Sequence, residues 1–210
     1  MSWNKCCIFI TNPPEQQPEK LLSRLSLEEY EVVSTAHINE TIKFYLDDPV
    51  PTFLGIFNNV LIAISANLTS LFLADSLSER AQSIIHAFPN SEIAAINENY
   101  TQDSFGYAII RQQQRIRLKI GDEGLILRDF GQVLAEEQEL RVHMQQSGNY
   151  QALVEDYPGD GLSLDELRQE AEFELGWRMP MWLSAKYLGH PLDSLESRAI
   201  PLVKCLPRHQ

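Results

Sequence analysis

Residues 115–120, Arg-Ile-Arg-Leu-Lys-Ile, alternate charged and apolar side chains without a break. Successive side chains of a strand point to opposite faces, so a period of two marks a half-buried strand. Its neighbours read the same way. Glu92 to Ile96, Phe105 to Arg111 and Leu125 to Phe130 are short strand-forming stretches. Gly121-Asp122-Glu123-Gly124 supplies the turn before the last of them. Consecutive strands joined by short turns pair antiparallel. This block, 92–130, constrains the fold most, because a doubly wound parallel sheet would alternate strands with helices.

The flanking segments fit around it. Cys6-Cys7-Ile8-Phe9-Ile10 within 3–11 reads as a buried strand, ended by Asn12-Pro13-Pro14. A short helix is expected at 19–25, a second strand at 30–36 and a helix at 38–46. Thr52 to Ile64 reads as a hairpin across Asn58-Asn59, since asparagine tolerates the left-handed backbone of a tight turn. Ser76-Leu77-Ser78-Glu79 has capping-box spacing and opens a helix through Phe88.

Residues 133–146 read as helix, 147–162 as loop. Ser163-Leu164-Asp165-Glu166 caps another helix. Pro180 should kink or break that helix, because its ring clashes with the preceding turn. Gly189 and Pro191 stop the stretch that follows. Ile200 to Leu206 reads as a final strand, which Pro201 would confine to an edge. The expected fold is α+β: a mixed, largely antiparallel sheet flanked by helices, with C-terminal helices packed on it. At 210 residues the chain suits one domain, 1–210, with 147–162 the only candidate sub-boundary.

Charge is the most informative feature for function. The chain carries 17 basic and 29 acidic residues, a net −12. That counts against nucleic acid as a partner, since a duplex is met by a basic face. It also counts against an anionic membrane surface. From Val133 to Leu175 eleven acidic residues face only Arg141 and Arg168, so this stretch holds −9 of the −12. Glu166, Glu170, Glu172 and Glu174, with Trp177, form a candidate surface for a basic protein partner. Arg115, Arg117 and Lys119 lie on one face of their strand and form a candidate anion strip. In the plainer reading both are solvated faces, or pair with each other within the fold.

Trp177 and Trp182 flank Pro180, with Met179 and Met181 between them. Such residues fill cores and are also enriched at interfaces. Trp177, Glu174 and Arg178 could together line a pocket.

Catalytic signatures are missing. The sequence has no phosphate-binding GxxxxGK[ST] loop, no GxGxxG, no GxSxG and no HExxH. No two of His37, His86, His143, His190 and His209 stand three or four apart. The loop Asp156-Tyr157-Pro158-Gly159-Asp160-Gly161 matches no metal-loop spacing. No cofactor is expected. Cys6, Cys7 and Cys205 make no disulfide framework and suit free thiols in a reducing compartment. The Cys6–Ile10 run is too short for a signal-peptide core, and no window approaches the ~20 apolar residues of a membrane span. A cytoplasmic setting is expected, and nothing in the sequence sets an oligomeric state.

Five stretches together carry a resemblance. They are Trp3-Asn4-Lys5 running into a hydrophobic strand, Phe88-Pro89-Asn90-Ser91-Glu92, and Phe105-Gly106-Tyr107-Ala108 before the hairpin with Arg115. The others are Gly131-Gln132-Val133-Leu134-Ala135-Glu136-Glu137 and Leu188-Gly189-His190-Pro191-Leu192-Asp193. Scattered over most of the chain, they resemble a family of uncharacterised bacterial cytoplasmic proteins, a domain of unknown function. The resemblance implies a shared α+β fold and a cytoplasmic setting, and brings no catalytic residue with it.

Three functions follow as expectations. The favoured one is a non-enzymatic binding protein using the acidic C-terminal surface, an immunity-like role being one concrete form. The alternatives are a small-molecule enzyme of hydrolase type with a dispersed carboxylate and histidine site, and an anion-binding regulatory domain.

Overall fold

The computed structural model describes residues 4–41, 50–147 and 163–208. Their strands are β1 (Asn4–Thr11), β2 (Tyr30–His37), β3 (Thr52–Phe57), β4 (Val60–Ile64), β5 (Ile93–Asn99), β6 (Ser104–Arg111), β7 (Gln114–Asp122), β8 (Leu125–Gly131) and β9 (Pro201–Pro207). They form one nine-stranded sheet in the order β2-β9-β3-β4-β1-β5-β6-β7-β8. Every neighbouring pair is antiparallel. The fold is α+β as expected, and the sheet has no parallel pair.

The central strand explains its own sequence. β1 is covered on both faces, so Cys7 and Phe9 enter one core while Ile8 and Ile10 enter the other. A strand buried on both sides needs no polar alternation. The first core lies under α4 (Ala135–Gln146) and α5 (Leu164–Leu188). The second lies under α2 (Ala66–Leu73), α3 (Glu79–Ala87) and the 3-10 turns at Pro18–Leu21 and Ser23–Leu25. The short helix α1 (Ile38–Thr41) follows β2. α4 and α5 pack on each other and on the same face of the sheet.

Several local expectations hold. Asn58 and Asn59 turn the β3–β4 hairpin with φ of 49° and 59°, the left-handed pair a two-residue hairpin needs. Ser163 and Glu166 cap α5 reciprocally, Ser163 N donating to Glu166 Oε2 at 2.7 Å. α5 ends at Gly189.

Other elements differ. The helix expected at 19–25 is two 3-10 turns. α2 occupies a stretch with no helical expectation; Ser65 caps it by accepting from Leu68 N. α3 is capped by Ser78, not Ser76, through Ala81 N. Pro180 does not break α5, which runs through it for 25 residues. Proline forfeits one helical bond there, and the helix is held on the sheet by Leu175, Met179 and Leu183, all fully buried. β9 lies inside the sheet, between β2 and β3. Pro201 is tolerated because β3 pairs only from Val203 onwards. Residues 42–46 of the helix expected over 38–46, and 148–162 of the expected loop, lie outside the described residues.

Both sheet edges carry a bulge. Val33 in β2 and Leu127 in β8 are extra residues in their ladders. A bulge re-aims the strand and disfavours edge-to-edge addition.

Candidate functional site

The basic strip expected on β7 is divided by a third bulge. Ile109 pairs with Arg117 and Ile110 with Arg115, so Ile116 is one residue too many. An inserted residue moves what precedes it to the other face. Arg115 therefore points to the α2 side, donating to the carbonyls of Phe72, Ala74 and Asp75. Arg117 and Lys119 point the opposite way, beneath α4 and α5. Gly131 seals this kink: it has φ 90°, and a Cβ there would fall 2.0 Å from the Ile116 carbonyl oxygen.

Arg117 and Lys119 are each only 1% exposed. The Arg117 guanidinium grips Glu137 of α4 in a two-pronged bond, 2.6 and 3.0 Å, and also donates to Asp129. Lys119 Nζ lies 3.1 Å from Glu172 of α5, whose other oxygen takes Arg141 of α4 at 2.6 Å. A second cluster joins Glu92, Arg111, Glu136 and Lys186, with Tyr187 Oη donating to Glu92. Burial alone would raise the carboxyls of Glu92, Glu136 and Glu172. Their cationic partners outweigh it and hold all three below the ordinary glutamate value of 4.5. These acids are ionised clamps, not proton donors. They tie both C-terminal helices to the sheet.

Much of the acidic surface is thereby used inside the fold. Glu172 is clamped, Glu166 completes the α5 cap, and Glu174 bonds Arg178 one turn on at 2.7 Å. Glu170 is exposed.

What the C-terminal helices leave open is a pocket. Along α5, Glu174, Trp177, Arg178, Met181, Trp182 and Ala185 recur at helical spacing on one stripe. Along α4, Leu140, His143 and Met144 do the same, followed by its C-cap Ser147. The two stripes and the end of β5 enclose a cavity of about 530 Å³, within the size range of small-ligand sites. Trp177, Glu174 and Arg178 thus line a common pocket, as their spacing allowed. Trp177 and Trp182 are each half-buried. Tyr100 meets Trp177 edge-on, centroids 5.1 Å apart, and His143 tilts against Trp182 at 5.4 Å.

The floor is charged. Glu98 is 2% exposed and sits directly opposite Lys5 in the β1–β5 ladder. Lys5 Nζ reaches Glu98 at 3.0 Å, Asp193 at 3.1 Å and Met181 Sδ at 3.4 Å, and lies 5.1 Å from the Tyr100 ring centroid. Burial and the adjacent Glu98 raise the Tyr100 hydroxyl well above its usual range, so it stays protonated.

Sequence reasoning missed Glu98 and Tyr100. The signal for Glu98 was present, two residues beyond Ile96 and hence on the same inward face. The strand was expected to stop at Ile96, whereas β5 runs to Asn99. Tyr100 carried no signal.

Among the described residues no group of three or more His, Cys, Asp or Glu is placed to hold a metal ion. No described helix is long and apolar enough to cross a membrane. Comparison with protein-family models, with curated proteins and with solved structures finds no match.

Proposed function

We propose that this chain is a non-enzymatic binding protein that recognises a basic protein partner through its C-terminal helices, α5 and its neighbour α4. One observation carries the reading: the 530 Å³ aromatic-walled pocket opens between these helices, with Glu174 of the acidic stretch on its wall. Aromatics and methionine are what interface centres favour. A net charge of −12 steers a cationic partner and repels nucleic acid. An immunity-type or antitoxin-type inhibitor is one concrete form. A cytoplasmic setting, and kinship with the uncharacterised bacterial family described above, belong to the same proposal.

The anion-binding alternative draws less support, because Arg117 and Lys119 are consumed by Glu137, Asp129 and Glu172. The enzyme alternative draws on Glu98, Glu174 and His143 of the same pocket, but Glu98 is held by Lys5 and Glu174 by Arg178.

The test uses paired baits. Wild-type protein and Trp177→Ala are immobilised and exposed to native lysate at low and high salt, and retained proteins are identified by mass spectrometry. The reading expects a basic protein held by the wild type at low salt, and lost both at high salt and from the variant. Identical retention by both baits would overturn it.

A further inference from the structure

From the pocket's composition we infer the group that fills it: an ammonium carried on an apolar stem, the lysine side chain of the basic partner. This rests on the reading of the pocket as the recognition surface and names what that surface takes.

Three features point to a cation. The walls come first. Tyr100, Trp177 and Trp182 present aromatic rings, whose faces are electronegative and attract ammonium groups. The charge balance comes second. Among the described residues the cavity is lined by Glu98 and Glu174 against Arg178, and Lys5, which bonds Glu98, is matched by its second partner Asp193, leaving one negative charge over. An anionic ligand would meet that surplus in a half-enclosed, poorly screened site, and a cation would neutralise it. The third feature is a precedent in the chain itself. Lys5 already places an ammonium on this floor, against two carboxylates, a methionine sulfur and the Tyr100 ring. The surroundings that receive Lys5 continue upward along the α5 stripe through Met181, Trp177 and Glu174. The apolar lining of Leu140, Met144 and Ala185 suits a methylene stem.

Other groups in the molecule carry less. Ser197 Oγ lies 2.8 Å from His190 Nδ1, but Ser197 is fully buried and cannot meet a substrate. The exposed Leu125 and Leu127 of β8 lie on an edge interrupted by a bulge.

Ligand-observed NMR titration of the full chain tests the inference with two pairs of probes: choline and its neutral isostere carrying tert-butyl in place of trimethylammonium, and a short lysine peptide and its norleucine counterpart. The expected result is that choline binds at least tenfold more tightly than the neutral isostere and the lysine peptide at least tenfold more tightly than the norleucine one. Trp177→Leu should abolish both preferences, and Trp177→Phe, which keeps a ring face, should retain them. Thermal melts of both variants separate loss of binding from loss of fold. Equal binding of choline and its isostere would overturn the cation inference and leave the pocket standing as a recognition surface. Binding of choline without the lysine peptide would overturn the side-chain source. No response to any probe would overturn the inference outright, and the paired-bait experiment would then decide separately whether these helices bind a protein.

Discussion

Replacing Glu137 with glutamine removes one charge and almost no volume from the most buried ion pair in the structure. Arg117 and Glu137 are each 1% exposed, so water cannot solvate the guanidinium once its partner is neutral. Removing one partner of such a pair costs about 3–5 kcal/mol, chiefly because the remaining charge is stranded. The low end applies here, since Asp129 stays bonded to Arg117 and is itself half exposed. For a chain of this length about 3 kcal/mol lowers the melting midpoint by about 6–12 °C. Urea unfolding of Glu137→Gln, Arg117→Met and the double variant closes a thermodynamic cycle. The double variant should be more stable than Glu137→Gln alone, because no charge is left unpaired. A midpoint for Glu137→Gln equal to wild type, with no coupling in the cycle, would refute the claim that Arg117 is a structural clamp. It would return Arg117 to the pool of ligand-binding candidates.

Three further outcomes are expected. Gly176→Ala would put a Cβ 2.1 Å from Cζ of the fully packed Phe105, so it should cost about 1–3 kcal/mol in urea unfolding; an unchanged midpoint would mean α5 is not seated on the sheet at that glycine. Glu92, Glu136 and Glu172 titrate below 4.5 when folded. Their stabilisation is therefore fully present above the unfolded value and lost as pH falls through the folded ones. Unfolding midpoints should change little from pH 7 to 5 on their account and drop below about pH 4.5, whereas greater stability at pH 3 than at pH 6 would contradict the clamps. Cys7 and Cys205 are fully buried, and burial pushes the Cys205 thiol up to about 12. Alkylation of the native protein should leave both unmodified over hours and mark only Cys6, as read by peptide mass spectrometry; fast modification of Cys205 would contradict the position of β9 inside the sheet.

The sequence was most legible where a local rule acts alone. Asn58-Asn59, the Ser163–Glu166 cap and the Gly189 stop are each decided within four residues. It was least legible where a distant contact decides. The alternation of β7 is real over Arg117 to Ile120, but a bulge against β6 shifts its start, and no pattern within β7 announces an extra residue. Pro180 and Pro201 follow their rules in isolation. One is overridden by the burial of Leu175, Met179 and Leu183, the other accommodated by a pairing offset against β3. The acidic run showed where charge concentrates without showing which acids face inward, because their partners Arg117, Lys119 and Arg111 lie far away in the chain. Glu174, Trp177 and Arg178 stand close enough on α5 to share a pocket, although nothing in their spacing demands one. Glu98 and Tyr100 reach the same cavity from the sheet, a juxtaposition that only the fold supplies.

The most direct test of the account follows the indole N–H signals of Trp177 and Trp182 in the nitrogen-15 NMR spectrum as the partner identified by the paired-bait experiment is added. If the α4–α5 pocket is the recognition surface, both signals shift or broaden in proportion to bound partner, while the Gly131 amide on β8 stays in place. A partner that binds while both indoles remain unmoved, with the changes gathered on β8 or β2 instead, would contradict it.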